Sequence, residues 1–295
     1  MERKIERINP FTDTGFKIIF GKENQSEEIL KVFLNAIFEG QEDFDDIKEV
    51  RFINTERVRE TKNMKSVIHD IMCITSDGRR FIVEMQNITQ HFFLRRAFYY
   101  VCKGIADQGN LYNKDKNWQY RFDPIVGVFL CNFNVDGLDS DLVIHSRVTN
   151  LKNNRPIGDF IRFAFLQLPR FDKGIKECET TLDKIIYMLK NMTDLDGNPF
   201  AAEMEEVYGR IEKVSRYAAL TPEEKIQYDA DLKWYHDANA IMQSKFDEGH
   251  DLGKWEGKWE GKWEIVKNMV DSGMDLETIS KISGFSTEEI RKKLN

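Results

Sequence analysis

Val67-Ile68-His69-Asp70-Ile71-Met72-Cys73-Ile74-Thr75-Ser76-Asp77-Gly78-Arg79-Arg80-Phe81-Ile82-Val83-Glu84-Met85-Gln86 reads as two apolar strands, 66–75 and 79–86, joined by the turn signal Ser76-Asp77-Gly78. Each strand carries one acid among apolar neighbours, Asp70 and Glu84, where an unpaired buried carboxylate is costly. A three-residue loop with Gly78 left-handed sets Thr75 against Arg79 and Asp70 against Glu84. The two acids then share one face with Cβ atoms about 4.5–5.5 Å apart, close enough to hold one hard cation, and Gln86 lies on the same face. A two-residue Asp-Gly turn shifts the register by one and sends the acids to opposite faces. Strand-end charges paired with Arg or Lys are the structural alternative.

Upstream of this hairpin, Ile29, Leu30, Val32, Phe33, Leu34, Ile37 and Phe38 recur at helical spacing after the acidic turn Glu27-Glu28, and Gly40 ends the helix. Residues 47–53 add a strand. Downstream, a helix over 90–108 closes at Gly109, and 124–133 reads as a strand buried on both faces. The order αβββαβ defines an α/β core. Further strands over 142–148 and 160–168 flank it, and the sequence then turns helical over 179–192, 201–218 and 222–249, the last opened by Thr221 as N-cap and Pro222.

Residues 253–264 repeat Gly-Lys-Trp-Glu three times. On a helix each glycine costs about 0.8–1 kcal/mol relative to alanine, while Trp255, Trp259 and Trp263 form a slowly turning stripe that invites a partner. We expect self-association, making a homo-oligomer through the C-terminal helices, or docking on the preceding domain. The tail 265–295 resembles a small helix-turn-helix whose basic residues Arg291, Lys292 and Lys293 come late, which favours a packing hairpin over a DNA reader. The expected organisation is 1–195 as the α/β domain, 196–250 as a helical extension, 251–264 as the repeat and 265–295 as the tail.

Of the 295 residues 41% are hydrophobic and 18 are glycine, a globular composition that excludes wholesale disorder and fibrous classes. No apolar leader opens the sequence, and the apolar run 125–131 is far short of the roughly 18–20 residues of a membrane span. The four cysteines lie far apart without a C-x-x-C and read as core thiols in a reducing cytoplasm. A net charge of −7 removes bulk electrostatics as a driver of nucleic-acid binding, while leaving room for a local basic surface.

Asp70, the fourteen-residue step to Glu84-Met85-Gln86 and the αβββαβ order resemble the PD-(D/E)XK nuclease core, with Gln86 where most members carry a lysine. Asn9-Pro10-Phe11-Thr12-Asp13-Thr14-Gly15-Phe16-Lys17-Ile18-Ile19-Phe20-Gly21, Phe33-Leu34-Asn35-Ala36-Ile37 and Arg96-Ala97-Phe98-Tyr99-Tyr100 resemble one branch, the Rpn family of recombination-promoting nucleases and transposases. The resemblance implies a restriction-endonuclease-like αβββαβ core with a mixed sheet. It also implies Mg²⁺-dependent endonucleolytic hydrolysis of DNA, with Mn²⁺ as an alternative ion, in recombination or for a mobile element. In that reading Asp70, Glu84 and the Met85 carbonyl hold the metal, and Asp70, Glu84 and Gln86 are catalytic, with Gln86 orienting water or phosphate. A neutral Gln stabilises developing negative charge less well than lysine, which raises the alternative of an inactive nuclease-fold binding module.

Lys17, four residues after Asp13, and Arg95, Arg96 and Lys103 on the helix after the motif are the candidates for DNA phosphates. An acidic first helical turn accounts for Glu27 and Glu28. His69 and His91 read as lone structural histidines.

Overall fold

The computed structural model describes residues 6–53, 69–89, 91–112 and 121–294. The chain divides into two compact units, Met1–Leu232 and Lys233–Asn295.

In the first unit, α1 (Asp13–Gly21) and α2 (Glu27–Phe38) precede β1 (Val50–Phe52), β2 (Ile71–Thr75), β3 (Arg80–Gln86), α3 (Phe93–Tyr112) and β4 (Ile125–Cys131). After them come β5 (Val143–Arg147), β6 (Ile161–Gln167), α4 (Thr181–Asn191), α5 (Glu205–Ser215) and the start of α6 (Pro222–Asp271). The first three residues of the strand expected over 66–75, and residue 90 at the start of the expected helix, lie outside the described residues.

The strands form one mixed sheet in the order β1-β2-β3-β4-β6-β5. β3 and β4 run parallel, as do β4 and β6, and the remaining neighbours are antiparallel. Parallel β3 and β4 need a crossover, which α3 supplies. Both faces of the sheet are covered, which explains the unbroken apolar run of β4 and the run Phe163-Ala164-Phe165-Leu166 in β6. Val126, Val128, Leu130, Ala164 and Leu166 point to the side of α1, α2, α4 and α5. Ile125, Phe129, Phe163 and Phe165 point to α3 through Phe93, Ala97 and Val101.

α1 starts at Thr12, whose hydroxyl accepts from the Gly15 N–H at 3.0 Å. The sequence carries this helix only as a condition on the Asp13–Lys17 spacing. Phe16 and Phe20 are fully buried beside Phe33 of α2, and each such side chain contributes about 2–3 kcal/mol of burial.

As far as Leu232, the helical extension is part of the same compact unit as the α/β sheet. Met204, Tyr208, Ile211, Val214, Leu220 and Tyr228 complete the core on the α1–α2 side. The boundary expected after 195 therefore falls inside the first unit, and those expected after 250 and 264 fall inside the single helix α6. Helix-forming neighbours carry α6 through the glycine repeat. A Cβ at Gly253, Gly257 or Gly261 would meet nothing within 4 Å. Gly253→Ala with Gly257→Ala is therefore expected to stabilise the second unit by about 1 kcal/mol per site, read as a raised helix melting temperature by circular dichroism. An unchanged or lowered melt would refute open space at these positions.

In the second unit, α7 (Leu276–Ser283) and α8 (Thr287–Leu294) fold back on the end of α6. Val266, Ile279, Phe285 and Ile290 are buried together, and Trp263 stacks on Phe285 at 4.4 Å.

Candidate active site

Gly78 has φ +89°; its N–H donates to the Thr75 carbonyl at 3.0 Å, and the Thr75 N–H donates to the Arg79 carbonyl at 2.9 Å. Thr75 thus faces Arg79, and the ladder pairs Ile74 with Arg80, Cys73 with Phe81, Met72 with Ile82 and Ile71 with Val83. One step further, Asp70 stands opposite Glu84. The Asp70 N–H donates to Glu84 Oε1 at 3.3 Å, and the Met85 N–H donates to Asp70 Oδ2 at 3.0 Å. The three-residue connection is the one adopted, and the two carboxyl groups share the face on which Met72 and Ile82 meet α3. Gln86, two residues beyond Glu84, is buried on that face at the end of β3.

Glu84 is only 2% exposed, and its Oε1 lies 3.1 Å from Nδ1 of His69. A carboxylate only accepts, so His69 Nδ1 carries the proton of that bond. The His69 ring meets Tyr100 of α3 edge-on at 5.5 Å, and Arg96 Nε donates to the Tyr100 hydroxyl at 2.8 Å. His69, which the sequence presents as a lone histidine, has both Glu84 and Tyr100 as neighbours. Its place beside Asp70 in sequence was the available signal, because a strand approaching a buried acid can bring its own donor.

Lys17 reaches the same place from α1, with Nζ 3.6 Å from Asp70 Oδ1 and 2.8 Å from Asp13 Oδ2. Asn87 Nδ2 donates to the Phe11 carbonyl at 2.6 Å, tying the segment after β3 to the turn before α1. Of the other basic candidates, Arg96 lies on one line of α3 with Tyr100 and Lys103, whose ammonium is paired with Asp107. Arg95 is exposed, with its guanidinium over the Phe92 ring.

Burial pushes the Asp70 carboxyl up to about 7, and the negative charge of Glu84 pushes the same way, against the Met85 N–H and Lys17. For Lys17, burial pulls downward, but the hydrogen bond its ammonium donates to Asp13 and the charges of Asp70 and Asp13 outweigh it and hold the ammonium above its ordinary range. Two adjacent acids, one destabilised as an anion, suit a hard cation. Among the described residues no group of three or more His, Cys, Asp and Glu gathers for a metal. The two carboxylates could offer a metal oxygen donors alone, a chemistry that suits a hard divalent cation better than zinc.

The model of the PD-(D/E)XK nuclease family transposases matches residues 10–245. The chain belongs to this family. No curated protein and no solved structure matches the chain. The six-stranded mixed sheet with its helices agrees with the PD-(D/E)XK α/β fold. Family membership supports a nuclease-type hydrolase with DNA as the implied substrate, in a family whose nucleases generally use divalent metals. Among the described residues no helix is long and apolar enough to cross a membrane.

Proposed function

We propose that the protein is a Mg²⁺-dependent DNA endonuclease, acting in the cytoplasm in recombination or for a mobile element. The observation that carries this reading is the juxtaposition of Asp70 and Glu84 on one sheet face, with Lys17 beside them. Asp70, Glu84 and the Met85 carbonyl are the groups that would hold the ion, with Mn²⁺ as its substitute. When bound, the ion polarises the scissile phosphate and lowers the pKa of water.

The remaining work falls to the chain. His69 and the Asp70 N–H hold Glu84 in place by two hydrogen bonds to one oxygen. Gln86 orients the attacking water or the phosphate through its amide, which has no charge to offer. Lys17 supplies the positive charge that a lysine at position 86 would give, since its ammonium is already within reach of Asp70 and held charged. Arg95, Arg96 and Lys103 on α3 contact phosphates flanking the cut.

The test is nicking of supercoiled plasmid in Mg²⁺, in Mn²⁺ and in chelator. Metal-dependent nicking is expected, and Lys17→Met is expected to slow it about 100-fold while leaving the metal-induced rise in melting temperature intact. No cutting with either metal by folded protein that still binds DNA would replace the enzyme by a nuclease-fold binding module. Full activity in Lys17→Met would remove Lys17 from the chemistry.

A further inference from the structure

Along α6, residues 234, 238, 241, 245, 248, 252, 255 and 259 alternate steps of four and three, the spacing of a coiled-coil seam. Trp234, Ile241, Leu252 and Trp255 on this seam are 58%, 63%, 57% and 60% exposed. Its continuation through Val266 and Met269, with Trp263 and Val270 beside it, is covered by α7 and α8, and this cover ends where Phe285 meets Trp259 at 4.9 Å. Four large apolar side chains in one row are thus uncovered on a helix whose far end is capped by its own tail.

The two central positions of the seam are charged, Lys245 and Glu248, and they select the occupant. A parallel second copy would set Lys245 against Lys245 and Glu248 against Glu248 inside an apolar seam. A reversed copy pairs every position with a complement. We propose that α6 forms an antiparallel two-helix seam with α6 of a second copy of this chain, with the two-fold axis passing between Phe246 and Asp247.

In that register each Lys245 faces Glu248 of the second copy, Ile241 faces Leu252, and Trp234 faces Trp259. The bulky Trp255 lies over the small Ala238. The flanking positions agree independently, because Asp237 comes beside Lys258, Ser244 beside Asp251, and Met242 beside Gly249, the side-chain-free residue of that row. Within one chain Lys245 Nζ already lies 2.7 Å from Glu248 Oε2, so pairing two copies closes a ring of four alternating charges. The glycines of the repeat, 253, 257 and 261, fall outside the seam positions and need no contact. Much of the seam lies beyond residue 245, where the family match ends.

Sedimentation equilibrium on the full chain is expected to show a dimer. Lys245→Glu alone and Glu248→Lys alone each place like charges in both central layers and are expected to weaken it at least about tenfold. The double variant restores alternation and is expected to recover wild-type affinity. The orientation is read by mixing Ile241→Cys with Leu252→Cys chains, both carrying Cys102→Ser to remove the exposed native thiol, under mild oxidation. A mixed disulfide is expected, whereas disulfides between like chains would overturn the antiparallel arrangement. A wild type that stays monomeric, or single reversals that leave the dimer unchanged, would overturn the seam itself. These side chains are exposed in the single chain, so the variants fold, and all retain Asp70 and Glu84. Plasmid nicking therefore reports on the nuclease reading separately.

Discussion

Asp70→Asn is expected to lower metal-dependent plasmid nicking at least about 100-fold and, in metal-free buffer, to raise the melting temperature. Both effects have one cause. The folded Asp70 titrates near 7 against an ordinary value of 3.8, because burial and the neighbouring Glu84 disfavour its anion. A raised folded pKa means that the native state holds this proton more tightly than the unfolded chain. The associated stability is fully present below about pH 4 and is lost as pH rises through 7, by on the order of a few kcal/mol. Asparagine cannot ionise, and its Oδ1 can still accept from the Met85 N–H. The melting advantage of Asp70→Asn over wild type is therefore expected to be larger at pH 8 than at pH 5. Adding Mg²⁺ is expected to reverse the order by stabilising only the wild type. A variant that melts lower than wild type at pH 8 without metal, or one stabilised equally by Mg²⁺, would sink this account of the carboxylate pair.

The second large effect concerns a residue with no side chain. A Cβ at Gly15 would sit 2.1 Å from the Asn9 carbonyl oxygen and 2.6 Å from Thr12 Oγ1. Neither neighbour is free to retreat. The Asn9 N–H donates to the Tyr228 hydroxyl at 2.7 Å, the preceding Ile8 N–H to the Ser215 carbonyl at 2.7 Å, and the Phe11 carbonyl accepts from Asn87. Gly15→Ala is expected to destabilise the first unit by about 2–3 kcal/mol, a fall of roughly 5–10 °C in its melting temperature. Nicking should fall with it even below the melt, because α1 carries Lys17. The same substitution at Gly253 is expected to act in the opposite direction, since there the added methyl meets nothing. A melting temperature within a degree or so of wild type for Gly15→Ala would show that the turn before α1 yields.

The sequence was most informative where its signals were local. The apolar runs on either side of Ser76-Asp77-Gly78 left two registers for the hairpin, and a positive φ at Gly78 with the pairing of Thr75 and Arg79 settled which of them is used. The burial of β4 on both faces was legible as an unbroken apolar run. The continuity of α6 was not, because a helix with a glycine at every fourth position is marginal when the repeat is weighed alone, whereas a helix already nucleated on both sides carries it.

What only the tertiary structure decided is which distant groups meet the acids. Lys17 lies fifty-three residues before Asp70, and Tyr100 thirty-one after His69. No periodicity links such positions; they are brought together because α1 and α3 pack against the sheet through buried apolar side chains on their other faces. By itself the sequence determined the α/β order, the two carboxylates and the reasons they could share a site, since each depends on spacing along one strand or one turn. The cation beside Asp70, the histidine holding Glu84 and the uncovered seam of α6 depend on three-dimensional packing, where contacts are set by the whole core and not by neighbours in the chain.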